Sequence, residues 1–392
     1  MTAHSPLGGR FTADPHPALA GLRESCPVAR VTTPAGRAVW VVTREEDVRA
    51  AFTDPRLSLA RTPPPATGRP RRALDMTLVD YDPPDHTRIR RLAAPALSAA
   101  RIAAYRPLVE RAAREQLAAL AADRPVDLVA HFAAPFAFRV LCEVFGVAQA
   151  DRGPLRAVVD DLIAHRDVPA AQRRLDAFVR TGTAGRLARP GGEDAFSRIV
   201  AAWSLRTDVT EDELADLLAM LLLAGFDSTV QMLAMAVLAL LAHPAELARL
   251  AADPALLPAA VDELLRWDTP GPFATTRTAL ADVPIGGTVV PAGSGVLLSV
   301  AAANRDPRRH PDPDVLRLDR PTAARQLGFG LGPHYCPGAP LARLQLTAAL
   351  AALLSHRPGL RAAVPPERLQ WGGGPQHRRL AALPLRLGPH RD

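Results

Sequence analysis

Between Thr210 and Pro244 the chain carries an almost continuous apolar run, and any fold it adopts must bury that run. Residues 214–242 are long enough to cross a bilayer. However, Asp216 and Asp227 lie inside the stretch, and an ordinary amphipathic pattern, HPAELARLAADP, follows it. Thr210 and Glu213 have capping-box spacing, and Pro244 closes the run. The pattern predicts one central helix of roughly thirty residues, several times the usual length. Its place is the interior of a helical protein, not a membrane.

The remaining pattern is helical with a minor β share. AVWVVT (38–43) alternates and is β-branched, so it reads as a strand. Thr43 and Glu46 have the spacing of a second capping box, for a helix beginning there. Helical periodicity covers 86–120, with breaks near Pro95 and Pro107, and then 126–147, 154–166 and 170–188, where RPGGED stops it. Two helices, 245–254 and 256–270, follow the central one. Short strands are expected around Gly286, Gly287 and Gly293, with a last strand in LAALPLRL. Prolines cluster at 62–70, 82–85 and 310–314, which read as loops.

Composition excludes several classes of function. The net charge is +7, but there is no lysine, so all 47 basic positions are arginine. The arginines are scattered among acids, and even RPRR (69–72) lacks the aromatic interleaving of a nucleic-acid surface. No nucleic-acid partner is expected. The N-terminus has no apolar core suited to a signal peptide, so the expectation is a cytoplasmic protein with no membrane association. Cys26, Cys142 and Cys336 are odd in number and far apart, which argues against a disulfide framework and a structural zinc site. Cys142 reads as a small buried hydrophobe and Cys26 as a turn residue.

Cys336 has an unusual setting, GFGLGPHYCPGAPLARLQ (328–345). Glycines allow tight turns and close approach of a flat cofactor or of backbone amides. The helix from Ala339 presents its positive end to the sulfur, favouring a thiolate. A phosphate cradle fails, because Tyr335 breaks the GxGxxG pattern and no lysine exists for a Walker loop. On local chemistry alone, iron ligation and a plain turn before a helix both remain open.

Phe329-Gly330-x-Gly332-x-His334-x-Cys336-x-Gly338, followed by LAR (341–343), resembles the haem-binding signature of the cytochrome P-450 superfamily, the haem-thiolate monooxygenases. The resemblance implies that Cys336 is the proximal iron ligand, with Phe329, Gly330 and Gly338 shaping the cofactor loop. ELLR resembles the family's ExxR motif, which puts Glu263 and Arg266 on one helix face, with Arg320 as the third member of a structural network. LLLAGFDST (221–229) resembles the oxygen-activating stretch, where the helix opens. Asp227 matches its acid, and Ser228 takes the alcohol position where threonine is usual. YDPPDHTRIRRL supplies His86 and Arg90 at i and i+4; with Arg277 and His334 these are expected to converge on the haem propionates. Substrate contacts are expected from the variable segments 57–79, 160–190 and PFATT (272–276), with Ala224, Phe226, Phe273 and Ala274 as pocket candidates.

The resemblance spans nearly the whole chain. It implies a mainly α protein with a minor β portion and the cytochrome P-450 fold: a long central helix over a haem, and the cysteine loop on the proximal side. Residues 1–392 are expected to form a single haem-thiolate monooxygenase domain. The implied cofactor is haem b (iron protoporphyrin IX). External NAD(P)H is expected to deliver electrons through separate redox partners, a ferredoxin and a ferredoxin reductase, since no reductase is fused. The expected reaction inserts one oxygen atom from dioxygen into a small, largely apolar molecule of natural-product metabolism. Oxidative coupling, ring formation or a peroxide-dependent reaction in the same fold is the alternative, and a non-enzymatic haem sensor is a more distant one.

Overall fold

The helices that position the site are α1 (Asp85–Ala93), α2 (Ala134–Val144), α3 (Gln149–Ile163), α4 (Glu211–Ala224), α5 (Asp227–Ala242), α6 (Leu257–Trp267) and α7 (Ala339–His356). They belong to a computed structural model that describes residues 6–61, 72–120, 124–357 and 359–388. All of 62–70, and all of RPRR but Arg72, lie outside the described residues, as does that part of the variable segment 57–79.

The apolar run forms two helices in line, α4 and α5, which together span 211–242 as the predicted central helix and are interrupted at Gly225 and Phe226, where the resemblance implied an opening. At its start the capping box forms as predicted: Thr210 Oγ1 accepts from the Glu213 amide at 3.2 Å, and the Glu213 carboxylate accepts from the Thr210 amide at 2.9 Å. α5 is apolar on nearly every face and is surrounded by protein, with Leu233, Ala234, Met235 and Val237 all at 3% exposure or less. Asp216 has a reason to sit in this run. Its carboxylate accepts from the Leu74 amide at 2.7 Å and the Met76 amide at 3.3 Å, pinning that loop segment to α4.

A five-stranded sheet stands beside the helices, in the order β1 (Val28–Thr32), β2 (Ala38–Val42), β5 (Gly295–Leu298), β4 (Arg277–Ala279), β3 (Leu57–Ser58). β2 and β5 are parallel, with Trp40 opposite Val296, and the other pairs are antiparallel. A hairpin of β6 (Trp371–Gly374) and β7 (His377–Leu380) packs its second strand on α5. The mainly α class with a minor β portion is as expected. Thr43, however, does not cap the next helix. Its hydroxyl donates to the Pro27 carbonyl at 2.9 Å, while the Asp306 carboxylate accepts from the Glu45 amide at 2.9 Å and starts the helix Glu45–Thr53 from a distant part of the chain. The helix expected over 126–147 opens with a short strand, Val126–Asp127, and a π-helical turn, Val129–Ala133, before α2. Helix Ala195–Ser204, capped by Asp194, was not anticipated.

Glu263 on α6 is fully buried and takes a bidentate pair from Arg266, at 2.6 and 2.8 Å. Arg320 adds a third donor at 3.1 Å, and the Arg317 amide a fourth at 3.0 Å. The surplus positive charge is spread over carbonyls: Arg266 donates to Asn304 and Pro313, and Arg320 to Pro311, Asp312 and Val315. The three residues expected to form a network do form one. Removing one partner of a buried ion pair costs about 3–5 kcal/mol, because the other charges stay buried. Glu263→Ala is therefore expected to lower the urea midpoint by that equivalent, whereas Arg249→Ala, which removes solvent-exposed pairs with Glu246 and Asp319, is expected to leave the midpoint close to that of wild type.

Candidate active site

The cysteine loop turns on two glycines with left-handed backbone, Gly330 (φ +72°) and Gly332 (φ +75°), which other residues adopt only with strain. At Gly332 a Cβ would also come within 3.0 Å of Thr53 Cγ2. The loop is closed by the Cys336 amide, which donates to the Phe329 carbonyl at 2.9 Å. α7 starts at Ala339, whose amide donates to the Cys336 carbonyl at 3.3 Å, and the amides of Gly338 and Ala339 lie close enough to Sγ to favour its negative form. Burial pushes the thiol up, and these two amides with Arg90 and Arg343 work the other way. The sulfur thus faces fixed donors that stabilise a thiolate.

The expected cationic set converges beside this loop. His86 on α1 and His334 in the loop have ring centroids 4.0 Å apart. Arg277 on β4 is 4% exposed and donates through Nη1 to the Leu57 carbonyl at 3.2 Å. Arg90, one turn after His86, donates to the Tyr335 carbonyl at 2.6 Å, next to the cysteine. Both ring nitrogens of His86, both of His334 and Arg277 Nε are buried without a hydrogen-bond partner. Buried polar groups are ordinarily satisfied, so five orphaned nitrogens in one place need an external acceptor. Burial and the neighbouring cations hold both histidines down to about 4, and burial brings Arg277 down to about 10. These shifts mark a place built for negative charge. A pair of carboxylates fits it, and the propionates of haem are such a pair.

The central run itself breaks between α4 and α5. The Ala224 carbonyl accepts the Ser228 hydroxyl at 3.0 Å, and the Gly225 carbonyl accepts the Thr229 hydroxyl at 3.3 Å. Side chains thus serve carbonyls at the point where the ladder is interrupted. Gly225 is needed for packing, since a Cβ there would lie 3.0 Å from the Leu221 carbonyl and 3.1 Å from Leu141 Cδ1 on α2. Ser228 and Ala224 are exposed and Thr229 is buried, so Ser228 is the hydroxyl presented outward. Asp227 is ion-paired with Arg379 at 3.0 Å. Burial raises its carboxyl, and Arg379 and His377 oppose the rise.

Two pocket candidates pack against rings in the core. Phe226 is 3% exposed and turns into the helical core, edge-on to Phe138, with the Arg156 guanidinium 4.8 Å from its centroid. Phe273 is 6% exposed and stacks on Phe11 at 5.8 Å. Large apolar rings with a ready partner in the core are drawn away from an open face. Ala274 is half-buried against the sheet, and Thr275 beside it is the exposed member of the segment. Sequence reasoning missed Asp82. It accepts from Ser58 Oγ and, at 3.1 Å, from the Leu59 amide, and its charge acts on His86, His334 and Arg277. Its signal was its place in the same DPPDH segment as His86. Arg343 was also missed; it lies 4.7 Å from the Phe329 ring centroid and pairs with Asp262.

A family model described as Cytochrome P450 matches residues 201–357. The chain is 39% identical over 395 residues to the cytochrome P450 monooxygenase PikC of Streptomyces venezuelae, covering 98% of this chain and 94% of that protein. It is 37% identical over 398 residues to the mycinamicin IV hydroxylase/epoxidase of Micromonospora griseorubida, covering 98% and 100%. The solved structure of the ligand-free P450 monooxygenase TamI superposes with a TM-score of 0.90 at 36% identity, covering 97% of this chain and 93% of that one.

The buried histidines give a pH test. His86 titrates near 4 when folded and at its ordinary value of 6.5 when unfolded, so between those values the unfolded chain binds more protons. Stability of the haem-free protein is therefore expected to fall as pH drops from 6.5 to 4. His86→Gln is expected to flatten that slope in urea titrations at several pH values. Loading with haem is expected to flatten it as well, since facing carboxylates raise the histidine pKa values.

Proposed function

The chain belongs to the cytochrome P450 family, and on that premise we propose how its own residues serve an oxygen-inserting monooxygenase of natural-product metabolism. The observation that carries the assignment of the site is the set of five unpartnered buried nitrogens of His86, His334 and Arg277 beside the loop of Cys336, whose negative form the amides of Gly338 and Ala339 favour. His86, Arg90, Arg277 and His334 hold the two propionates of haem b, and Cys336 supplies the proximal thiolate from the loop shaped by Phe329, Gly330 and Gly338. Bound haem supplies the redox chemistry by which dioxygen is activated.

The chain's own contribution is orientation, exclusion of water and movement of protons. The amides beside Cys336 Sγ stabilise its negative charge. Ser228 donates its hydrogen to the Ala224 carbonyl, which leaves its oxygen free to accept from a water or a substrate hydroxyl; to relay a proton the hydroxyl turns from that carbonyl and passes its own hydrogen on as it accepts another. Asp227 takes up and releases protons at its carboxylate. Without the methyl of threonine, Ser228 has more χ1 freedom, so some reducing equivalents end as hydrogen peroxide. Ala224 and Ala274 favour a small, largely apolar substrate. The net positive charge suits an acidic donor of ferredoxin type, supplied by its reductase in the cytoplasm. Residues 1–392 act together as one haem-thiolate domain.

Two experiments test this reading. The reduced, CO-bound protein is expected to show the red-shifted Soret band of thiolate ligation; Cys336→Ala is expected to abolish it, and Cys142→Ala and Cys26→Ala to keep it. Retention of the band in Cys336→Ala refutes the ligand assignment. Ser228→Ala is expected to lower product formed per NAD(P)H consumed and to raise peroxide. Asp227→Asn is expected to slow turnover by on the order of 100-fold, the low end for a positioned proton-transfer group. Unchanged coupling in Ser228→Ala moves the proton route to another hydroxyl.

A further inference from the structure

The carboxylate of Asp227, the first residue of α5, is held by a residue that no motif pointed to. Arg379 on β7 pairs with it through Nη2 at 3.0 Å, and its other terminal nitrogen, Nη1, donates to the carbonyl of Ile163 at 3.3 Å. Ile163 is the last residue of α3. One guanidinium therefore joins three elements: the break in the central run, the β6–β7 hairpin and the C-terminal end of α3. The hairpin is independently fixed to α5, because the Leu380 amide donates to Gln231 Oε1 at 2.8 Å. The Gln231 side chain also hydrogen-bonds Asp227, and at 3% exposure it has no solvent to turn to. Further back along α3, Arg156 lies over the ring of Phe226, 4.8 Å from its centroid. α3 thus reaches the break at two points, one through a ring and one through Arg379.

We propose that Arg379 is a positioning residue for proton movement: it holds the Asp227 carboxylate at the break, and it makes release of that carboxylate depend on the seating of the C-terminal end of α3. The proposal rests on the proton role given to Asp227 above. A guanidinium is a rigid fork, so its two acceptors fix each other's geometry, and losing one loosens the other. The pair is partly exposed, with side chains at 32% and 28%, which makes it weak enough to open and close during turnover. The charged groups that face Asp227 are Arg379 and His377, both on the hairpin. From α3 it is a carbonyl, not a charge, that reaches Arg379. Without Arg379 the carboxylate keeps Gln231 and the weaker influence of His377, so it stays protonated to higher pH.

The test compares wild type, Arg379→Gln, Arg379→Lys and Asp227→Asn as haem-loaded, full-length proteins. The first readout is the pH profile of turnover and of product formed per NAD(P)H. The second is hydrogen–deuterium exchange of the substrate-free protein at Ala164, His165 and Arg166, whose amides close the end of α3. Arg379→Gln is expected to move the acid limb of turnover up by about one pH unit, the low end for loss of an adjacent opposite charge. It is also expected to raise exchange at the end of α3 several-fold. Arg379→Lys restores the charge without the fork, so it is expected to return the acid limb and leave the exchange raised. An acid limb that stays in place in Arg379→Gln, or unchanged exchange at the end of α3, overturns the proposal. Asp227→Asn separates the two readings. If it turns over like wild type, the proton role of Asp227 fails and the positioning role falls with it, while the exchange data still report whether Arg379 ties α3 to the hairpin.

Discussion

Glu263 carries one negative charge into a region without water and meets two guanidinium groups there, and the arrangement of the C-terminal half follows from that imbalance. Neither arginine can be neutralised by the carboxylate alone, so their remaining hydrogens go to the carbonyls of residues 304, 311–313 and 315. Those carbonyls are brought into place by the same bonds, which fixes the course of the segment. Asn304 then passes the constraint on: its carbonyl accepts from Arg266, and its side-chain oxygen accepts from the Leu327 amide at 2.7 Å, at the threshold of the cysteine loop. A buried ion pair is weak evidence for net stability but strong evidence for register. Here the register in question is that of the sulfur.

Much of the site was legible because its residues lie in short, rigid runs. The glycines of 328–338, the i, i+3 pair on α6 and the i, i+4 pair on α1 are local patterns whose geometry the backbone period dictates. The capping box at Thr210 was legible for the same reason. The spacing at Thr43 had the same form and misled, because Asp306 supplied a better acceptor for the amide at the start of that helix and left the threonine hydroxyl to the Pro27 carbonyl. A cap can be decided by a residue far along the chain, and no local window contains it.

The placing of two pocket candidates, Phe226 and Phe273, was hidden for a related reason. Membership of a variable segment says which stretch borders a cavity, but not which side chains turn toward it. Phe226 and Phe273 each found a ring in the core, while small or polar neighbours, Ala224, Ser228 and Thr275, took the exposed positions. Arg379 was invisible for the opposite reason, since its partners are brought near only by tertiary folding, whereas Asp82 and Gln231 each lie four residues from a site residue, His86 and Asp227. The interruption of the central helix lies between these cases. A glycine at that point was readable, but the packing of Leu141 that requires it was not.

The two hydroxyls that cap carbonyls at this interruption belong to the chain itself. Ser228 and Thr229 close their bonds on Ala224 and Gly225 within the chain, so the polypeptide's own side chains hold the opening in the helix. Here its free-energy cost is met once, when the protein folds, and is not levied again at each catalytic cycle. A molecule arriving at the break meets polar groups already oriented, which lowers the reorganisation that binding and proton transfer would otherwise demand. The same economy limits change at residue 228: a replacement must serve the helix as well as the chemistry, and few side chains besides serine and threonine carry a hydroxyl short enough to do both.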